Sequence, residues 1–129
     1  MTSGYQRESY GYLKTNHSLK VDYAFVRTGI SAEERLSGRA QYFGKNSFIL
    51  QAELPKLSMV QELLTHKLKV EVYLHIPSEI LPIKAVTRTS WIETIDPISY
   101  KCKIGLTFET IDEDVKGKLY NFVISEQMN

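Results

Sequence analysis

Two periods of apolar residues run along this chain, and the change from one to the other is sharpest near its end. From Tyr100, the apolar positions Cys102, Ile104, Leu106 and Phe108 alternate with Lys101, Lys103, Gly105, Thr107 and Glu109. A repeat of two buries one set and wets the other, as in a half-buried strand. The repeat then lengthens, and Ile111, Val115, Leu119, Phe122 and Val123 fall on one stripe of a helix. Thr110 and Glu113 have capping-box spacing, and Asp112, Glu113 and Asp114 set negative charge at the positive end of the helix dipole. Gly117 costs about 1 kcal/mol relative to alanine in a helix interior, but it lies off the stripe. The helix is expected to lay its apolar side on a β core.

Upstream, Leu19, Val21, Tyr23 and Phe25 mark a first strand, and residues 27–35 read as a loop around Gly29 and the run Ser31, Ala32, Glu33, Glu34. A second strand runs from Ser37 to Phe43 and a third from Ser47 to Glu53, with Gly44, Lys45 and Asn46 as the turn of a hairpin. Pro55 ends the third strand. Ser58 and Gln61 offer a second capping box before Met59, Val60, Leu63 and Leu64, a two-turn helix read as a lid on the core. Val70, Val72, Leu74 and Ile76 form a fourth strand, with Glu71, Tyr73 and His75 on its wet face. Pro82 belongs at a strand start, because it cannot donate to a ladder. The fifth strand, Ile83 to Thr94, carries Trp91 and ends before an Asp96–Pro97 turn. Six short strands and a final helix predict a mainly β fold, an antiparallel barrel or strongly curved sheet whose closure leaves no long edge. Residues 1–18, polar and containing Tyr5, Tyr10 and Tyr12, are expected to form a flexible arm, and residues 19–129 the barrel domain.

Composition narrows the function classes. A chain of 129 residues makes one domain and can bury roughly 65–70% of its unfolded surface. Its net charge of +1 argues against general attraction to a nucleic acid polymer or an anionic membrane. No apolar run approaches the ~20 residues of a membrane span, and residues 1–12 lack a signal-peptide core. The single cysteine, Cys102, excludes an internal disulfide and fits a reducing cytoplasm; its place on the apolar face makes it a core residue. Catalysis has little support. His17, His66 and His75 lack metal-ligand spacing, and no phosphate loop, nucleophile elbow or zinc signature is present. Glu33 with Glu34, and Asp112 to Asp114, are read as a solvated loop and a helix start. Trp91 and Phe108 are read as core aromatics. Tyr5, Tyr10 and Tyr12, with Arg7, Lys14 and His17, leave three roles open: packing or disorder, stacking on a base beside a phosphate, or anchoring to a partner.

The order of these signals resembles the PilZ-domain family over residues 19–125. The residues that carry the likeness are KIGLTFETID with its following helix, the strand ending AVTRTSWIE, and the hairpin YFGKNSFILQAE. Gly105 and Phe108 are similar to the family's G-x-x-F strand ending. The resemblance implies a six-stranded barrel with a C-terminal helix, a non-enzymatic role in bacterial signalling linked to cyclic diguanylate, and a protein partner in motility, pilus or signalling machinery. The ligand motifs differ. Where binders of the family carry R-x-x-x-R before strand one, this chain has Lys14 to Ser18, KTNHS; where they carry D/N-x-S-x-x-G, it has Tyr42 to Ser47, YFGKNS. Arg35 and Arg39 do form an R-x-x-x-R, but after strand one, and are read as a chance match. Two expectations follow from the resemblance: an adaptor with degenerate ligand motifs, or a cyclic-diguanylate receptor whose site at the arm–barrel junction is lined by Lys14, Tyr42, Lys45, Asn46 and Ser47.

Overall fold

The computed structural model describes residues 11–27 and 34–127, save the side chains of residues 94 and 95. The loop expected over residues 27–35 and the first ten residues of the expected arm fall largely outside that range. Within it the order is β1 (Leu13–Arg27), β2 (Leu36–Phe43), β3 (Ser47–Glu53), α1 (Met59–Leu64), β4 (Leu68–His75), β5 (Ile83–Asp96), β6 (Lys101–Ile111) and α2 (Glu113–Gln127). All strand pairings are antiparallel, and the sheet closes on itself in the order β1-β2-β3-β6-β5-β4. The barrel, the terminal helix and the short helix between β3 and β4 agree with the expected architecture. No helix among the described residues is long and apolar enough to cross a membrane.

The inward set follows from alternation. Val21, Tyr23, Ala40, Leu50, Val70, Val72, Leu74, Ala85, Cys102, Ile104 and Leu106 are buried. Phe43, Phe48 and Phe108 form a ring cluster, with centroids 5.9 Å apart for the first pair and 5.5 Å for the second. Tyr23 ends in the backbone of β3, donating to the Glu53 carbonyl at 3.1 Å and accepting from the Glu53 amide at 2.9 Å. Helix α2 adds Leu119 and Val123 to this core. Cys102 is buried as expected, and burial pushes its thiol up to about 11.

Several expectations need correction. Strand β1 begins at Leu13, so residues 13–18 belong to the barrel and are not a loose arm. They were hard to recognise because β1 and β2 run out of step. Lys14 pairs with Tyr42 and Leu19 with Ala40, which leaves Thr15 to Ser18 opposite the single Gln41. Strand β6 runs through Thr110 to Ile111, so the cap of α2 is Asp112, whose Oδ1 accepts from the amides of Asp114 (3.0 Å) and Val115 (3.2 Å). Ser58 precedes α1 but makes no side-chain capping bond. That helix is fixed at its other end: the amide of His66 bonds the Leu63 carbonyl and that of Lys67 the Glu62 carbonyl, a Schellman closure. His66 holds the left-handed position usual for glycine, at φ 63°, and its Nε2 lies 3.0 Å from the Thr89 carbonyl.

One aromatic residue is covered where it stands and another has changed face. Tyr73, expected on the wet face, is nearly buried there because the Arg35 guanidinium lies 3.8 Å from its ring centroid. Its hydrogen bond to Glu71, together with desolvation, raises the phenol. Trp91, expected in the core, lies outside. Thr89 pairs with Leu106 but Trp91 pairs with Gly105, so Ser90 is an extra residue that turns the indole outward. The indole then covers Gly105, where a Cβ would clash with it.

Candidate functional site

The β2–β3 bend packs closely around Gly44. Its amide bonds the Ser47 carbonyl at 2.7 Å, and a Cβ on it would meet Ser47 Oγ at 2.7 Å and the Tyr12 ring at 3.3 Å. Asn46 leaves the turn toward β6, exchanging bonds with the Phe108 backbone: its carbonyl accepts from the Phe108 amide at 3.0 Å, and its Nδ2 donates to the Phe108 carbonyl at 3.3 Å.

Helix α2 closes over this bend. Lys116 Nζ donates to Asn46 Oδ1 at 2.6 Å, and Tyr120 Oη donates to the Gly44 carbonyl at 2.6 Å. Burial pushes the Tyr120 phenol up to about 12, so it stays a donor at any physiological pH. The end of the same helix clasps the start of β1. Glu126 Oε1 accepts from the amides of Asn16 (3.1 Å) and His17 (3.4 Å), and Asn16 Nδ2 donates to the Glu126 carbonyl at 3.1 Å. Gln127 Nε2 donates to the Lys14 carbonyl at 2.8 Å.

The five residues singled out from sequence are therefore brought to one end of the barrel but not to one cluster. Lys14 and Tyr42 meet: they are cross-strand partners, with the ammonium 5.8 Å from the ring centroid. Asn46 is taken up by Phe108 and Lys116. Ser47 packs against Gly44, and Lys45 stands exposed at the tip. The described arginines lie elsewhere. Arg35 stacks on Tyr73, Arg39 donates to Ser18 Oγ at 3.2 Å, Arg27 pairs with Glu62, and Arg88 lies 4.0 Å from Glu109. Arg35 and Arg39 thus serve different partners, which agrees with a chance R-x-x-x-R.

Sequence reasoning missed Lys116, Tyr120, Glu126 and Gln127 because it read α2 only through its apolar stripe. Lys116 and Tyr120 are four residues apart and so share a helix face, a signal that was available. Chemically, the bend offers cations, amides and a neutral phenol. Among the described residues no group of three His, Cys, Asp or Glu is placed to hold a metal ion.

No family model matches this chain, and no curated protein matches it. Solved structures do. The chain is similar to the Bacillus subtilis inhibitor of motility MotI/DgrA, with a TM-score of 0.64 and 18% identity, covering 92% of this chain and 51% of that one. It is also similar to the Borreliella burgdorferi PlzA protein, solved in complex with c-di-GMP, with a TM-score of 0.52 and 12% identity, covering 95% of this chain and 55% of that one. The chain spans about half the length of each. Both carry PilZ domains, and the six-stranded barrel with its C-terminal helix is PilZ-like.

Proposed function

We propose that this PilZ-like barrel is a non-enzymatic regulatory module of bacterial cyclic-diguanylate-linked signalling, acting in the cytoplasm through contact with a protein of the motility, pilus or signalling machinery. The observation that carries this reading is the closed bend. Where receptors of this kind present an acid or amide, a serine and a glycine, this chain has Tyr42, Gly44 and Ser47, and the turn is bonded to Lys116 and Tyr120 of α2. No described arginine reaches it. The relatives supply the context: one is named for inhibiting motility, the other was solved with c-di-GMP.

Magnitudes support an adaptor. A guanidinium grips phosphate and guanine edges with a planar fork, each charge-assisted bond contributing roughly 1.5–3 kcal/mol. Lacking two such residues removes roughly 3–6 kcal/mol, or about two to four decades of affinity. Calorimetric titration with cyclic diguanylate should show no heat of binding in the micromolar range; a micromolar dissociation constant would reject the adaptor.

One observation favours the receptor alternative. Lys14 lies over the Tyr42 ring, which places a charge and a flat surface together at the arm–barrel junction. If cyclic diguanylate binds there, Lys14→Ala and Asn46→Ala weaken it; unchanged binding would remove these residues from the site.

A further inference from the structure

The outside of the barrel carries a second feature, built by register alone. Lys20 pairs with Arg39, Arg39 with Gln51, and Gln51 with Lys103, so these four stand side by side across β1, β2, β3 and β6. Their neighbours in sequence, Val21, Ala40, Leu50 and Ile104, point into the core, so this row faces out. Lys20, Arg39 and Gln51 are exposed. Among the described residues Lys20 and Arg39 take part in no ion pair.

A second row runs beside the first, one outward step along β3 and β6, or about 7 Å. Tyr42 pairs with Ile49, Ile49 with Gly105, and Gly105 with Trp91, whose indole covers the glycine. Both rings face outward only because each strand carries a bulge. The extra residue Gln41 moves Tyr42 opposite Ile49, and the extra residue Ser90 moves Trp91 opposite Gly105. Between them Ile49, although on the outer side, is only 3% exposed, so the row has a closed apolar floor. Tyr42 and Trp91 remain half-buried, with part of each surface in water. Lys14 extends the row beyond Tyr42. The acids nearby are Asp22, two residues along β1 from Lys20 and 2.9 Å from His75 Nε2, and Glu53 and Glu93, the register partners of Lys101 and Lys103.

We propose that this face binds single-stranded nucleic acid, with bases against Tyr42 and Trp91 and phosphates along Lys20 and Arg39. Parallel rows of rings and cations match a ligand that repeats a flat base beside a charge. A duplex hides its base faces, and an acidic peptide has no use for the rings. Sequence-tolerant binding of this kind rests on stacking and backbone charge. The whole-chain charge of +1 does not oppose it, because that sum averages this face with the ion-paired side of the barrel. The proposal goes beyond the adaptor reading and does not depend on it.

Trp91 is the chain's one tryptophan, so its emission reports this face directly. The probes are unlabelled RNA and DNA strands of ~12 nucleotides and mixed sequence, a duplex of the same sequence, polyglutamate, and cyclic diguanylate. A single strand should quench Trp91, with a log K versus log salt slope of about −1.4 for two phosphate contacts. K20Q together with R39Q should lower affinity at least about tenfold near 50 mM salt and flatten the slope toward zero. Tyr42→Leu should lower affinity at least about fivefold and leave the slope unchanged. Lys84→Gln, on the other side of the barrel, should change neither. The order of affinity between RNA and DNA identifies the natural source. Silence with both single strands, equal binding of duplex or polyglutamate, or an unaffected K20Q/R39Q double variant would overturn the proposal. Quenching by cyclic diguanylate with both strands silent would also overturn it and leave the receptor alternative standing.

Discussion

The two sides of this barrel share one ladder of strands and treat their charges in opposite ways. On the side of β4, β5 and α1, cations lie beside acids: Lys69 and Arg88 meet Glu109, Lys84 meets Glu71, and Arg27 meets Glu62. Across β1, β2 and β3, Lys20 and Arg39 sit next to each other with no acid between them, beside a row of outward rings. Charge pairing on the first side adds a little stability and offers little to a partner. Adjacent cations on the second side repel one another, a local cost that the paired side does not carry. A net charge near zero can therefore conceal a molecule with one neutralised side and one basic side.

The comparison can be broken most severely from beneath the basic row. Gly38 lies where β2 approaches β3, and a Cβ there would clash with the Gln51 backbone carbonyl and stand 3.1 Å from the Tyr23 ring. Gly38→Ala should destabilise by about 3 kcal/mol in urea denaturation, since backbone and not a side-chain tip must give way. Alkali should act on the same side with less force. Burial holds the Cys102 thiol neutral up to about 11 against an ordinary value of 9.0. Its stabilising effect is complete below the unfolded value and is lost as pH rises through the folded one. Stability should thus fall by about 2 kcal/mol between about pH 9 and 11, and Cys102→Ala should remove that part of the slope in thermal melts across the range. The smallest effects compare the two sides directly. Glu109→Gln leaves Lys69 and Arg88 without their acid and should cost about 0.5–1 kcal/mol. Lys20→Gln should leave stability unchanged or raise it by a few tenths of a kcal/mol, because it relieves repulsion from Arg39. Equal losses in these two variants would erase the distinction between the sides.

Much of the fold was legible because most strands are one-sided. β3 was read with its observed ends, Ser47 and Glu53, and the stripe Val115, Leu119, Phe122 and Val123 meets the core as expected. Errors collected where the ladder adds residues. Bulges reversed the face of Trp91 and obscured residues 13–18, since period-two reasoning assumes an unbroken count. The start of β1 also lacks an apolar face: of residues 13–18 only Thr15 is buried, and Asn16 and His17 are held by bonds from α2. The candidate site was legible in place but not in arrangement. Lys14 and Tyr42 do meet, whereas the partner of Asn46 lies 70 positions away on α2, a separation that no local pattern can encode.

The clasp between residues 14–17 and Glu126 with Gln127 has a mechanical consequence. Both ends of the described barrel leave from one spot, so such a unit can be spliced into a loop of a larger host without stretching it. Tension applied through flanking chain would first unzip those few side-chain bonds, one after another, while the hoop of strands stayed whole.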